Sequence, residues 1–181
     1  MMLEITIPAG ELWNEAKSEF IHTDEQTLIL EHSLVSLSKW ESKHCKPFLS
    51  DKPKTLEEDI DYIRCMTLNA VRSPDCYYNM TRETISGIHE YMEAPMTATW
   101  FSNSKTQPKS REVITAERIY YWMTVLNIPF SCETWHLNRL FTLIRVCSEE
   151  QKPKKDLKAK DLYKRNSALN AARKRKLGTH G

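Results

Sequence analysis

The sequence predicts an α+β fold that is mainly α, in which a small N-terminal antiparallel β-sheet packs on a helical bundle and a basic C-terminal helix or tail follows. Residues 3–7 alternate apolar and polar side chains with the period of two expected of a half-buried strand. From residue 33 onward, apolar residues recur every three or four positions, as they do on one face of an amphipathic helix. The chain has only four glycines in 181 residues, which argues against an all-β sandwich and against glycine-rich phosphate loops.

The first 32 residues contain the predicted strands. Leu3–Ile7 is the clearest of them, and a turn is predicted at residues 8–10. Short apolar pieces follow at residues 12–13 and 19–21, and residues 27–31 form another β-like run. We expect two or three antiparallel strands. Such a small sheet is marginal in water on its own and must pack against helices.

Helix starts are marked by N-cap residues, whose side-chain oxygens accept a backbone N–H of the first turn. The predicted N-caps are Ser33, Thr55, Thr81 and Ser131. Thr55 is followed three residues later by Glu58, the spacing of a capping box. These positions predict four of the helices, each ended by a proline or by a polar segment.

Apolar stripes define the inward faces of five predicted helices. The second helix is expected to continue to just before residue 73, and the fourth to begin at about Arg111. Phe130 and Trp135 are expected to form a hydrophobic staple around the start of the fifth. The stripes are Leu34, Leu37 and Trp40; Leu56, Ile60, Ile63 and Ala70; Ile85, Ile88 and Met92; Val113, Ala116, Tyr120, Met123 and Leu126; and Leu137, Leu140, Phe141, Ile144 and Cys147.

Net charge divides the chain into two parts. Residues 1–150 contain 15 basic and 22 acidic residues (net −7), whereas residues 151–181 contain 11 basic and two acidic residues (net +9). We therefore predict a single globular domain over residues 1–150, β-rich to residue 32 and helical from residue 33. Residues 151–181 are predicted to be a basic C-terminal tail that is partly helical or disordered.

Composition also excludes several classes of protein. No apolar run approaches the ~20 residues of a membrane-spanning helix, and residues 1–8 lack the basic and apolar regions of a signal peptide. The five cysteines are widely spaced and include no CxxC pair. We therefore expect reduced thiols and a cytosolic protein rather than a disulfide framework.

Few residues have the spacing that catalysis or metal binding requires. Cys132 and His136 are four residues apart on a predicted helix and could act as nucleophile and base, but we favour a structural cysteine beside a half-buried histidine. His44 and Cys45 are adjacent but lack a second pair of zinc ligands. The carboxylates of residues 57–61 lie in the first turns of a helix, where the exposed N–H groups of the helix stabilise negative charge. We expect no catalytic residue, no metal, no cofactor and no enzymatic activity.

Two segments are candidates for partner binding. Trp100 and Phe101 form an aromatic pair in the polar loop over residues 96–110. They either anchor a protein partner or tuck onto the domain's own core. The basic tail could bind nucleic acid, serve as a solvated end, or dock on an acidic protein. Tyr163 is its only aromatic residue for stacking on bases, and the body is acidic, so nucleic acid is disfavoured.

Several segments carry a resemblance to a known family. They are residues 3–8 (LEITIP), 30–34 (LEHSL), 38–43 (SKWESK), 119–123 (IYYWM), 135–147 (WHLNRLFTLIRVC), 164–174 (KRNSALNAARK) and 177–181 (LGTHG). Together they resemble tail assembly chaperones of long-tailed, siphovirus-like bacteriophages. The likeness spans most of the chain.

This resemblance implies a chaperone that acts in the host cell cytoplasm and is absent from the finished virion. Such a protein keeps the long tape measure protein soluble and helps to recruit tail-tube subunits around it. The tail-tube contact is made by a longer form that a programmed ribosomal frameshift produces. Self-association is left open, and no membrane contact is expected. The resemblance adds candidate partner-binding residues in the basic tail to the pair Trp100 and Phe101, namely Lys164, Arg165, Asn166, Leu169, Asn170, Arg173 and Lys174.

Overall fold

The computed structural model of the protein describes residues 2–14, 18–101, 113–151 and 159–178. The chain forms two compact units, Met1–Ser148 and Glu149–Gly181. The first unit is α+β and mainly helical, which confirms the predicted fold class. The second unit contains the C-terminal helix and is described separately below.

Four strands, rather than two or three, form two separate two-stranded sheets in the described part of the first unit. They are β1 (Leu3–Ile7), β2 (Gly10–Asn14), β3 (Glu19–Thr23) and β4 (Gln26–Leu30). β1 pairs antiparallel with β4, and β2 with β3, so the second hairpin is nested within the first. Two unpaired residues between β1 and β2, and two between β3 and β4, separate the sheets. Pro8 is one of these residues, and it has no N–H that could continue the ladder of hydrogen bonds.

Five α-helices follow the strands in those parts of the first unit that the structure describes. They are α1 (Leu34–His44), α2 (Leu56–Met66), α3 (Arg82–Glu93), α4 (Ala116–Val125) and α5 (Leu137–Gln151), the last of which ends just beyond that unit's boundary. Two 3₁₀ helices, Pro74–Asn79 and Phe130–Thr134, precede α3 and α5.

Three predicted N-caps are confirmed. The hydroxyls of Ser33 and Thr81 accept the backbone N–H groups of Ser36 and Thr84. Thr55 accepts from the Glu58 N–H at 3.2 Å while the Glu58 carboxylate accepts from the Thr55 N–H at 2.9 Å, which completes the capping box.

The predicted extent of α2 is wrong at its C-terminus, because the helix ends at Met66. Thr67 instead pairs with Leu30, and the Leu68 N–H donates to the Ile29 carbonyl at 2.9 Å. The chain leaves the helix to extend β4. Ala70 therefore lies outside the helix and is exposed, and Leu56, at the other end of the predicted stripe, is 69% exposed.

The predicted start of α4 is also wrong. The helix begins at Ala116, capped by Thr115, and Val113 is exposed rather than inward. Arg111 lies outside the described residues. The start is set by the buried carboxylate of Glu41, which accepts the Ala116 N–H at 2.7 Å.

Ser131 does not cap α5, so the cap and the staple predicted around it are wrong. Residues Phe130–Thr134 form a 3₁₀ helix instead, and Phe130 is exposed. A bridge between His136 and Ser33, together with a hydrogen bond from the Leu137 N–H to the His32 carbonyl, delays the helix until Leu137.

The core lies where the helices pack on the inward face of β1 and β4. Its fully buried members come from both strands, from the first 3₁₀ helix and from all of the helices α1 to α5. The stripe predicted for α5 is confirmed, since three of its residues are buried and the other two pack against the core. The buried core side chains include Ile7, Leu28, Leu30, Leu34, Leu37, Trp40, Tyr62, Met66, Ile119, Met123, Leu137 and Leu140.

The second unit contains α6 (Ala159–Leu177), so these residues of the basic tail, for which a helix and disorder were both left open, are helical. Gly178 follows it with φ of 63°, the left-handed conformation that often ends a helix. The side chains described from residue 163 onward are all exposed. No helix within the described ranges is both long enough and apolar enough to span a bilayer.

Candidate partner-binding surface

The segment Trp135–Arg139 at the start of α5 fastens several elements together. The Asn138 side-chain amide donates to the carbonyls of Met92 and Ala94, both at 2.9 Å, and so satisfies carbonyls that the end of α3 leaves without helical partners. His136 Nε2 lies 2.9 Å from the Tyr91 carbonyl oxygen. This part of the resemblance therefore contains residues that hold α3 against α5.

A buried cluster of two histidines and two tyrosines lies beside this junction. The ring centroids of His32 and His136 are 5.1 Å apart, and His32 Nδ1 lies 2.7 Å from the Tyr62 hydroxyl. The Tyr91 hydroxyl accepts the His32 backbone N–H. Burial, reinforced by His136, lowers the pKa of His32 to about 3. Burial also lowers the pKa of His136.

Cys132 and His136 do not share a helix, so the premise of the predicted nucleophile pair is wrong. Cys132 lies in the 3₁₀ helix, whereas His136 precedes α5. Nε2 of His136 is bonded to the Tyr91 carbonyl, and its Nδ1 accepts the Asn138 N–H at 3.3 Å. Both ring nitrogens are thus used by the backbone.

Two acidic residues of α2 have basic partners, and one of them is Glu58, which pairs with Lys46. Asp61 is buried and pairs with Lys43 and with His44, whose Nε2 is 2.8 Å from the carboxylate. Burial would raise the pKa of Asp61, but hydrogen bonds from Lys43 and His44 lower it overall. Across the described residues, no three His, Cys, Asp or Glu side chains form a group that could hold a metal ion.

Trp100 and Phe101 have different environments. The guanidinium carbon of Arg145 lies 4.0 Å from the centroid of the Phe101 ring, which attaches Phe101 to α5. Trp100 is 83% exposed. Each of the two interpretations therefore applies to one residue of the pair. Phe101 contacts the protein's own helix, whereas Trp100 faces solvent.

The segment from Ala94 to Phe101 follows α5. The first residue of this segment is bonded to Asn138, and its last residue contacts Arg145. Asn138 and Arg145 are two helical turns, or about 10 Å, apart along the axis of α5. We call residues 94–101 the strap. The strap presents Trp100 on a backbone that is attached on both sides, so the backbone that carries this large apolar side chain loses little conformational entropy on binding.

A pocket of about 380 Å³ opens beside the first turn of α5. The guanidinium carbon of Arg139 stacks 4.0 Å from the centroid of the Trp135 ring. Met96 of the strap contributes to the same pocket with φ of 49°, a left-handed backbone conformation that is uncommon for a residue with a side chain. The lining residues are Met2, Glu31, Met96, Thr134, Trp135, His136 and Arg139.

The seven candidate residues of the basic tail all lie on α6 and are exposed. Asn166, Leu169, Asn170 and Arg173 follow helical spacing and share one face. Lys164, Arg165 and Lys174 lie outside that face. These seven belong to the second unit, whereas Trp100 and Phe101 belong to the first.

Two aromatic features are not among the sequence predictions. Trp13 and Phe20 pair across β2 and β3 with ring centroids 5.0 Å apart, and both are more than half exposed. Trp135 was predicted to form a staple with Phe130, but its stacking with Arg139 was not predicted. The i,i+4 spacing of Trp135 and Arg139 across a helix start was the available signal for the second feature, whereas the first depends on strand register.

Comparisons with protein-family models, with curated proteins and with solved structures find no match to this chain.

Proposed function

We propose that this protein is a phage tail assembly chaperone that binds the tape measure protein, keeps it soluble and helps to recruit tail-tube subunits during tail morphogenesis. The observation that carries the proposal is the sequence resemblance of residues 135–147 and 164–174 within a likeness that extends over most of the chain. The protein acts by binding rather than by catalysis, in the host cell cytoplasm, and is absent from the virion. A longer frameshifted form makes the tail-tube contact.

The first unit offers a surface suited to this role. Trp100 is almost fully exposed on the strap, and the stacked pair of Trp135 and Arg139 lies at a pocket. Tryptophan and arginine are the residue types that most often dominate the energy of protein interfaces. A surface of this composition favours a protein client.

The second unit adds a charged helix. Over residues 159–177 it has seven basic residues and one acidic residue. An exposed helix of this charge can contact an acidic client at many weak sites, and such contacts add through effective concentration. This supports a role for α6 in holding a long partner.

The same charge favours a second candidate function, that of a nucleic-acid-binding accessory protein acting through α6. Lysine and arginine residues release counterions from phosphate, which gives affinity without sequence preference. Tyr163 is the one aromatic side chain on α6 available to stack on bases. We therefore rank this function below the chaperone.

Solubility of the tape measure protein tests the proposal. The tape measure gene of the same phage is expressed alone and together with the full chain, and its product is quantified in the soluble fraction. We expect co-expression to move most of the product into that fraction. The variant Trp100→Ala should reduce this effect, while Tyr121→Ala, which removes another exposed aromatic side chain, should not. An unchanged insoluble fraction with the wild-type chain contradicts the proposal.

Salt dependence distinguishes the second function. A fluorescent single strand and a duplex are titrated with the full chain at 50 mM and 200 mM salt. Nucleic-acid binding through α6 requires measurable affinity that falls steeply over this range. No binding at 50 mM removes this candidate.

A further inference from the structure

We propose that the pocket beside the start of α5 is the docking site for a segment of the client that carries an acidic and a basic side chain flanking an apolar one. This inference rests on the proposed function and assigns the client contact to a particular place. We call the pocket the α5 pocket; its binding groups are Arg139, Glu31, Trp135, Met96 and Met2.

Arg139 provides the positive charge that binds the acidic side chain of the client segment. Its guanidinium carbon lies 4.0 Å from the centroid of the Trp135 ring, and this cation–π contact holds the group beside the ring. Arg139 is exposed and forms no ion pair or side-chain hydrogen bond with any residue in the described ranges. Its N–H edge is therefore free to bind a carboxylate in the bidentate geometry that arginine favours.

Glu31 provides the negative charge that binds the basic side chain of the client segment. It follows β4 and is half-buried, and it is one of the residues that line the same pocket as Arg139. The main chain of Glu31 is fixed on both sides, since its N–H donates to the Met66 carbonyl at 2.9 Å and its carbonyl accepts the Ser36 hydroxyl at 2.6 Å. Opposite charges at one pocket select a client segment with the complementary pair.

Two methionines and a tryptophan supply the apolar contact. Met2 is exposed, and Met96 and Trp135 are half-buried, so the pocket presents apolar surface that no described residue covers completely. A volume of about 380 Å³ accommodates at least one large apolar side chain. Methionine adapts its shape to different apolar partners, which suits a client whose successive segments differ in sequence.

The pocket is held in place before the client arrives. Leu137 is buried and its N–H bonds to the His32 carbonyl, while Asn138 binds the first residue of the strap. The left-handed conformation of Met96 costs free energy, which the surrounding contacts must offset. Such conformations are concentrated at binding sites, and rigid placement reduces the entropy lost on binding.

The test measures capture of the tape measure protein by tagged full-length variants after co-expression with nuclease treatment. Arg139→Met keeps a long apolar side chain but removes the guanidinium charge, and we expect about thirtyfold weaker capture of the client, the loss typical of a hot-spot residue. Glu31→Gln should also reduce capture. Matched controls are Arg118→Met, another exposed arginine stacked on aromatic rings of its own helix, and Glu90→Gln, an exposed carboxylate of α3.

The outcomes separate the two proposals. If wild-type chain captures no tape measure protein, the proposed function fails and this inference fails with it. If wild-type chain captures its client and Arg139→Met and Glu31→Gln do so equally well, only the α5 pocket is overturned. Capture that disappears after nuclease treatment would mean a nucleic-acid bridge and also overturns the pocket. The melting temperature of each variant is also measured. A variant that melts at the same temperature as the wild type is folded, so its loss of capture is due to the lost contact.

Discussion

At the scale of single residues, the buried histidines beside α5 couple stability to pH. His32 and His136 are buried against Tyr62 and Tyr91, and neither imidazole has a carboxylate among its hydrogen-bond partners. Protonation of either ring would place a positive charge in the core without an anion to balance it. Burial thus favours the neutral form of both side chains.

This arrangement predicts a loss of stability in mild acid. Because the pKa of His32 is lowered to about 3 in the folded state, the unfolded chain takes up a proton below its ordinary pKa of 6.5 that the folded chain does not. The contribution of His32 is complete above pH 6.5 and is lost toward pH 3, by about 1.4 kcal/mol per pH unit. Between pH 7.5 and 5.0, the unfolding free energy of the wild type should fall by about 2 kcal/mol more than that of His32→Gln.

Urea unfolding at the two pH values measures this difference. His89→Gln, which removes an exposed histidine of α3, should retain the wild-type pH dependence. Equal pH dependence of the wild type and His32→Gln would contradict the assignment.

At the scale of elements, α5 and α6 differ in the exposure of their leucines. Leu140 on α5 is fully buried, whereas Leu169 on α6 is 47% exposed. The surrounding sequence indicates this difference, because Leu140 belongs to a stripe of five apolar residues, whereas α6 is rich in lysine and arginine.

A pair of matched substitutions tests this difference. Leu140→Asp places a charge in the core, and we expect a destabilisation above about 4 kcal/mol that unfolds the first unit. Leu169→Asp should change stability by less than about 0.5 kcal/mol, as expected for an exposed position. Circular dichroism melting distinguishes them. Cooperative unfolding of Leu140→Asp near the wild-type temperature would mean that the α5 stripe is not part of the core.

Local signals predicted the helix starts well where the cap and its helix are neighbours in sequence. Ser33, Thr55 and Thr81 act through bonds to residues three positions later, so the sequence contains the complete motif. The end of α2 and the start of α5 depend instead on distant partners, namely β4 and the segment His32-Ser33. Long-range pairing of this kind leaves no periodic trace in the chain.

The candidate surface was only partly predictable for the same reason. Trp100 and Phe101 stood out as aromatic residues in a polar loop, but only the position of Arg145 on α5 distinguishes the attached ring from the exposed one. The α5 pocket joins Met2, Glu31, Met96 and Arg139, which are far apart in sequence. No spacing rule brings these residues together.

At the scale of the whole molecule, the near-neutral total charge conceals two units of opposite charge. The boundary between Ser148 and Glu149 separates the first unit, which contains the core, from the second unit, which contains the basic helix α6. The described side chains of α6 are exposed, and residues 159–177 include seven basic residues and one acidic residue.

Truncation tests this division of roles. Removal of residues 152–181 should leave the melting temperature of the first unit within about 2 °C of the wild type, because exposed positions contribute little to stability. Capture of tape measure protein should decrease, since the charged contacts of α6 are lost. A large decrease in the melting temperature would instead mean that the C-terminal unit forms part of the folded core.

Affinity purification of the tagged full chain from infected cells, with protein composition measured by mass spectrometry after nuclease treatment, tests the chaperone assignment most directly. The assignment predicts that tape measure protein is the most enriched viral protein before tails are complete, and that the chain is absent from purified virions. Purification without tape measure protein, or recovery of the chain as a component of the mature particle, would contradict it.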